Sequence, residues 1–128
     1  MKTCLSILFF CLQVSLSAQT TWHVRSDASG AATGLSWTNA FPDLHLALNL
    51  AQPGDEVWVA QGLYRTDTAN NRERYFELLS GVRLLGGFNG TETSADQSDP
   101  AAYPTILSGN IGNPDDSLDN AYNILYML

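Results

Sequence analysis

Glu56-Val57-Trp58-Val59-Ala60 and Val82-Arg83-Leu84-Leu85 are short, near-continuously apolar runs flanked by glycine. Runs of this length and composition predict β-strands, and apolar residues at nearly every position suit strands covered on both faces. Working outward, residues 75–79 (YFELL), 105–108 (TILS) and 123–127 (NILYM) have the same character, and no tight two-residue hairpin turn joins any of them. Val82 follows Val57 by 25 residues, Thr105 follows Val82 by 23 and Asn123 follows Thr105 by 18. A recurring interval of about 20 to 25 residues is that of a solenoid coil. The same intervals also fit a small antiparallel sandwich with irregular loops, and periodicity alone leaves both open.

Upstream of these runs, residues 21–25 (TWHVR) alternate bulky and polar side chains as a half-buried strand does, and 27–34 (DASGAATG) read as a small-residue loop. Phe41, Leu44, Leu48 and Ala51 then recur at helical spacing, with Leu46, Ala47 and Leu50 widening the stripe. This predicts one amphipathic helix over 42–51, with Pro42 in its first turn, Asp43 near the positive end of its dipole and Pro53-Gly54 stopping it. Its apolar face needs a partner surface.

The start of the chain reads as an address. Lys2 supplies a positive charge, residues 5–16 (LSILFFCLQVSL) an apolar core, and Ser15-Leu16-Ser17-Ala18 the small residues of a cleavage site, together a secretory signal peptide. The run is shorter than the about 20 residues that a membrane-spanning helix needs. Cleavage is expected after Ala18, with Ser17 the alternative. The 128-residue chain carries a net charge of −7; from Gln19 onward it has 110 residues, five arginines, no lysine and thirteen acids. That length is one small domain, and an acidic surface without a basic patch disfavours nucleic acid. An apolar content of 45% excludes wholesale disorder. Cys4 and Cys11 both fall within the signal, so the mature chain is left without a disulfide, thiolate metal site or catalytic cysteine.

Leu84-Leu85-Gly86-Gly87-Phe88-Asn89-Gly90-Thr91-Glu92 resembles the opening coils of bacterial right-handed parallel β-helix surface proteins, a family related to polymorphic outer-membrane proteins and to adhesin-like proteins of the type IX export route. Surrounding segments agree in order: 34–41 (GLSWTNAF), Leu44 with Ala47-Leu48, 54–64 (GDEVWVAQGLY), 104–111 (PTILSGNI) and 119–122 (DNAY). The resemblance covers about 22–124. It implies an all-β solenoid, with an N-terminal capping strand and helix at 19–54 and the first coils of a β-helix at 55–128. Ser98 stands where the family pattern has a basic residue before Asp99-Pro100, which removes an ion pair. Relatives continue through many coils beyond the position of Leu128, so these coils are expected to be truncated.

No candidate chemistry outweighs a packing role. Gly86-Gly87-Phe88-Asn89-Gly90 lacks the spacing of a phosphate loop and reads as a tight corner with Phe88 packed inward. Trp22, Trp37 and Trp58 would make a sugar-stacking platform, but aromatics of this size more often fill cores and caps. Asn110, Asn113, Asp115 and Asp116 offer oxygens for calcium without a matching loop pattern, and Asp96, Asp99 and Asp119 read as solvated with them. Thr91-Glu92-Thr93 reads as a solvated loop. His23 and His45 have no flanking ligand pattern and are expected on a strand surface and a helix surface. Arg83 beside an acidic loop is the nearest imitation of a polysaccharide lyase base, and Asp55, Glu56, Glu73 and Glu77 offer glycosidase-like pairs that any acidic chain would. The triplets 89–91 (NGT), 67–69 (DTA) and 116–118 (DSL) match glycosylation acceptors.

The sequence therefore predicts an exported scaffold or adhesin-like protein at the cell surface, with no catalytic, cofactor-binding or metal-binding residue assigned. Its partners would be cell-surface polysaccharide or a host or neighbouring surface, the export machinery, and further coils of its own. The alternatives are the N-terminal part of a β-helix carbohydrate-active enzyme and a small secreted sugar-binding β-domain. As a stand-alone β-sandwich, the last of these predicts antiparallel pairing and exposed tryptophans.

Overall fold

The computed structural model describes residues 18–128. Residues 1–17 of the predicted signal segment, both cysteines among them, lie outside the described residues. The chain runs β1 (Thr21–Val24), α1 (Leu44–Leu50), β2 (Glu56–Ala60), β3 (Gly62–Arg65), β4 (Phe76–Leu78), β5 (Arg83–Phe88), β6 (Thr105–Ser108) and β7 (Leu125–Met127). Two single 3-10 turns, Ala95–Gln97 and Ser117–Asp119, interrupt the long loops. Every strand pair is parallel, in three sheets ordered β1-β2-β5, β3-β6 and β4-β7. Parallel neighbours need crossover connections, which is why no hairpin turn stands in the sequence.

The expected all-β solenoid, a right-handed parallel β-helix, is overturned. Among the described residues the strands fall into separate sheets of three, two and two with one helix beside them, and no solenoid stacking of coils is present. The runs at 82, 105 and 123 that suggested one ladder belong to three different sheets. Trp22 pairs with Val57, Val57 with Leu84, Leu63 with Ile106 and Phe76 with Leu125, so the separations share no period. Intervals between apolar runs measure loop length, whereas pairing is fixed by which edges meet in space. The antiparallel sandwich fails on the same pairings.

Helix α1 is shorter than predicted. Pro42 lies before it, and Asp43 is the N-cap, its carboxylate accepting the His45 N–H at 2.9 Å. The Ala51 N–H closes the other end on the Ala47 carbonyl. Leu44, Ala47 and Leu48 are buried while Leu46 and Leu50 are exposed, so the apolar stripe is narrower than its sequence. That face packs on β4, β1 and β2. The core beneath it holds Val24, Phe41, Val57, Val59, Tyr64 and Phe76.

β2 is the central strand and all five of its residues are buried. Val57 and Val59 enter the core under α1. Glu56 and Trp58 alternate to the opposite face, which must therefore be covered as well.

Candidate functional site

The outer face of the β1-β2-β5 sheet carries an aromatic cluster built by a one-residue irregularity. Trp58 pairs with Leu85 but Ala60 pairs with Phe88, so β5 gains a residue at Gly86-Gly87. The extra residue reverses which face the following side chain takes. Phe88 thus leaves the core face and stacks on Trp58, ring centres 5.0 Å apart and planes 13° apart. The inward position expected for Phe88 is corrected: it is fully buried, but against Trp58 and Trp37 on the far side of the sheet. Gly87 has φ +83, and a Cβ there would lie 2.7 Å from the Pro100 nitrogen. Ser98, where a basic residue was expected, donates to the Gly86 carbonyl at 2.6 Å and ties down the same bend.

His23 completes the cluster, edge-on to Trp37 at 4.7 Å and to Trp58 at 5.5 Å. Its Nδ1 lies 3.2 Å from the Gly34 carbonyl, which fixes that nitrogen as the donor in the neutral ring. Burial pushes its pKa below the usual imidazole value, partly offset by that carbonyl. Trp37 donates its indole N–H to the Glu92 carbonyl at 2.9 Å. Glu92, expected in a solvated loop, is buried; its carboxylate accepts the N–H groups of Asn89, Gly90 and Thr91 at 2.7, 3.1 and 3.1 Å. Burial alone would raise its pKa, but those donors outweigh it and hold it below the ordinary glutamate value. Thr21, His23, Leu35, Ser36, Trp37, Trp58, Glu92 and Thr93 line an open groove of about 380 Å³ beside the cluster.

The three tryptophans do not form one platform. Trp37 and Trp58 stand 6.4 Å apart on the outer face, whereas Trp22 turns inward onto Phe41 and donates to Asp55. Asp55 is buried and also accepts the Thr20 and Gln52 N–H groups at 2.9 Å. Burial opposes its ionisation, yet these donors hold its pKa below the usual aspartate value. Glu56 joins Arg83 at 2.5 Å and the Trp58 indole at 2.8 Å. Asp55 and Glu56 are thus spent on the structure, while Glu73 and Glu77 are exposed.

A second cleft, about 200 Å³, lies between α1 and the end of β3, lined among others by His45, Thr66, Asp67, Arg74 and Phe76. His45 is half-buried and its Nε2 lies 2.8 Å from the Thr66 carbonyl, tying α1 to the β3 end. Asp67 accepts the Asn71 and Ala69 N–H groups at 2.8 Å and Arg74 at 3.0 Å, which holds its pKa down to about 2. Among the described residues no group of three or more His, Cys, Asp or Glu is placed to hold a metal. Asp119 instead accepts the Asn113 N–H at 2.7 Å within its own loop.

The third feature is an edge. All three residues of β7 are exposed, and Ile106 of β6 is half exposed. Tyr122, Leu125, Tyr126 and Met127 are all exposed. The segment is anchored through Arg72, whose guanidinium lies 4.3 Å from the Tyr122 ring centre and donates to the Asn120 carbonyl.

Comparison with family models, with curated proteins and with solved structures gave no match to this chain. The members that sequence reading did not join are His23, Phe88 and Glu92. The Gly-Gly-Phe string was the available signal for a bulge that flips an aromatic residue to the other face.

Proposed function

We propose that this chain is an exported cell-surface scaffold or adhesin-like module, without catalytic chemistry of its own, that takes further protein onto its exposed strand edges. The observation that carries the reading is the exposure of β6 and β7, each at the edge of its own two-stranded sheet. Unpaired strand edges with exposed apolar side chains are templates for another chain, and folds usually blunt them with charge or cover them. The signal-like start supports delivery to the outside. The ionised groups with lowered pKa values support a structural role, because each is consumed by backbone donors or an arginine.

The full chain, expressed from its own start codon in a diderm bacterium, is expected outside the inner membrane with a new N-terminus near Gln19. At rising concentration it should sediment as associating species, and Ile106→Lys with Tyr126→Lys should return it to a monomer with an unchanged melting curve. Recovery of uncleaved chain from the cytosol defeats the export half. A wild-type chain that stays monomeric defeats the edge half.

A further inference from the structure

We propose that the groove beside His23, Trp37 and Trp58 is a binding site for a neutral pyranose segment of a polysaccharide. Ligand sites combine an apolar or aromatic wall with a few placed polar groups, in volumes of about 300 to 1,000 Å³. The groove meets this description: Trp37, Trp58 and Leu35 line it together with His23 and the hydroxyl-bearing Thr21, Ser36 and Thr93. A pyranose presents an apolar C–H face and a rim of hydroxyls, which matches an indole beside hydroxyl and imidazole groups.

Rigidity supports the assignment. Trp37 is held from two sides, by its indole N–H on the Glu92 carbonyl and by the His23 edge, while Glu92 is itself held by three backbone donors. A wall fixed before the ligand arrives loses little freedom on binding. His23 donates through Nδ1 to Gly34, so the neutral ring keeps an acceptor lone pair on Nε2 for a sugar hydroxyl. Charge selects between sugars. No Arg or Lys lines the groove, and the ionised Glu92 is one of its lining residues, so uronic or phosphorylated sugars meet no countercharge.

The test uses the full secreted chain, with tryptophan fluorescence and affinity electrophoresis against laminarin, dextran and galactomannan as neutral probes and polygalacturonate as the acidic one. At least one neutral polymer should quench the fluorescence and retard the band, and polygalacturonate should do neither. Trp37→Ala should weaken the binding by about tenfold or more, equivalent to about 1.4 kcal/mol. Because Trp37 also packs on Phe88, Leu35→Glu is the companion variant. Leu35 is 62% exposed, so that change should leave the melt intact while weakening binding by about fivefold. Ile106→Lys should bind as wild type, which separates this site from the strand edge. Silence from all three neutral polymers, retardation by polygalacturonate alone, or a folded Leu35→Glu variant with wild-type binding overturns the proposal.

Discussion

β1 and β7 each end a sheet, and the chain closes one and leaves the other open. Beyond β1, the His23 N–H donates to Gly34, the Phe41 N–H to His23 and the Arg25 N–H to Phe41, all between 2.7 and 2.9 Å. Residues 34–41 therefore serve as a covering segment, and Phe41 is buried there. β7 has β4 on one side and three exposed residues, with Tyr126 and Met127 more than half exposed. Backbone groups at the first edge are satisfied within the chain, while those at the second are left to water or a partner. The difference separates a region built for stability from one available for contact.

Substitution tests that contrast, beginning with the largest effect. Phe88→Ala removes a fully buried ring from the Trp37–Trp58 stack and is expected to destabilise the fold by about 3 to 5 kcal/mol in urea melts. A loss below about 1 kcal/mol would mean that the closed region is not tightly packed. Gly87→Ala comes next, at about 2 kcal/mol or more, because it combines positive φ with a clash against backbone. Gly54→Ala is its control: φ is +97 but no atom lies within 4 Å of the added Cβ, so about 1 kcal/mol is expected. Equal losses at the two glycines would show that the Pro100 contact yields.

Glu92→Gln keeps the shape but halves the acceptors for the 89–91 N–H groups, with an expected cost of about 1 to 2 kcal/mol. Acid titration extends this. A carboxyl whose folded pKa is lowered stabilises the fold above its unfolded pKa, and that contribution is lost as pH falls through the folded value. For Asp67, with an ordinary value of 3.8 lowered to about 2, the window is about pH 4 to about pH 2. Asp67→Asn should flatten the fall in urea midpoint across that window. An unchanged slope would show that the Asn71 and Arg74 contacts do not persist in solution. The smallest effect is at the open edge, where Tyr126→Ser should change stability by no more than about 0.5 kcal/mol. A larger loss there would erase the distinction between the two edges.

Several elements were legible because they depend on local chemistry. The run 56–60 is a strand as read, and the apolar positions Leu44, Ala47 and Leu48 bury as their spacing requires. Tyr75-Phe76-Glu77-Leu78-Leu79 contains β4, with Phe76 and Leu78 in and Glu77 out. β3 was not marked as a separate strand, since Gly62-Leu63-Tyr64-Arg65 follows β2 after a single residue and lacks a long apolar run. The candidate groove was legible only in parts. Trp37 and Trp58 stood out by type, but His23 reaches them from β1 and Phe88 from a bulged β5, and Glu92 carried no sign that three backbone donors would surround it.

By itself the sequence determined the type of most elements, the buried positions Leu44, Ala47 and Leu48 of α1, the lack of tight hairpin turns between the strands it marked and the acidic, lysine-free composition after residue 18. These follow from propensity, periodicity and charge, which act over a few residues. Tertiary structure decided the partners. Val57 meets Leu84, Leu63 meets Ile106 and Phe76 meets Leu125 across loops of unequal length, and a spacing read along the chain cannot encode which edges meet. It also decided which face Phe88 occupies, because one inserted residue at Gly86-Gly87 reverses strand alternation without altering the apolar pattern.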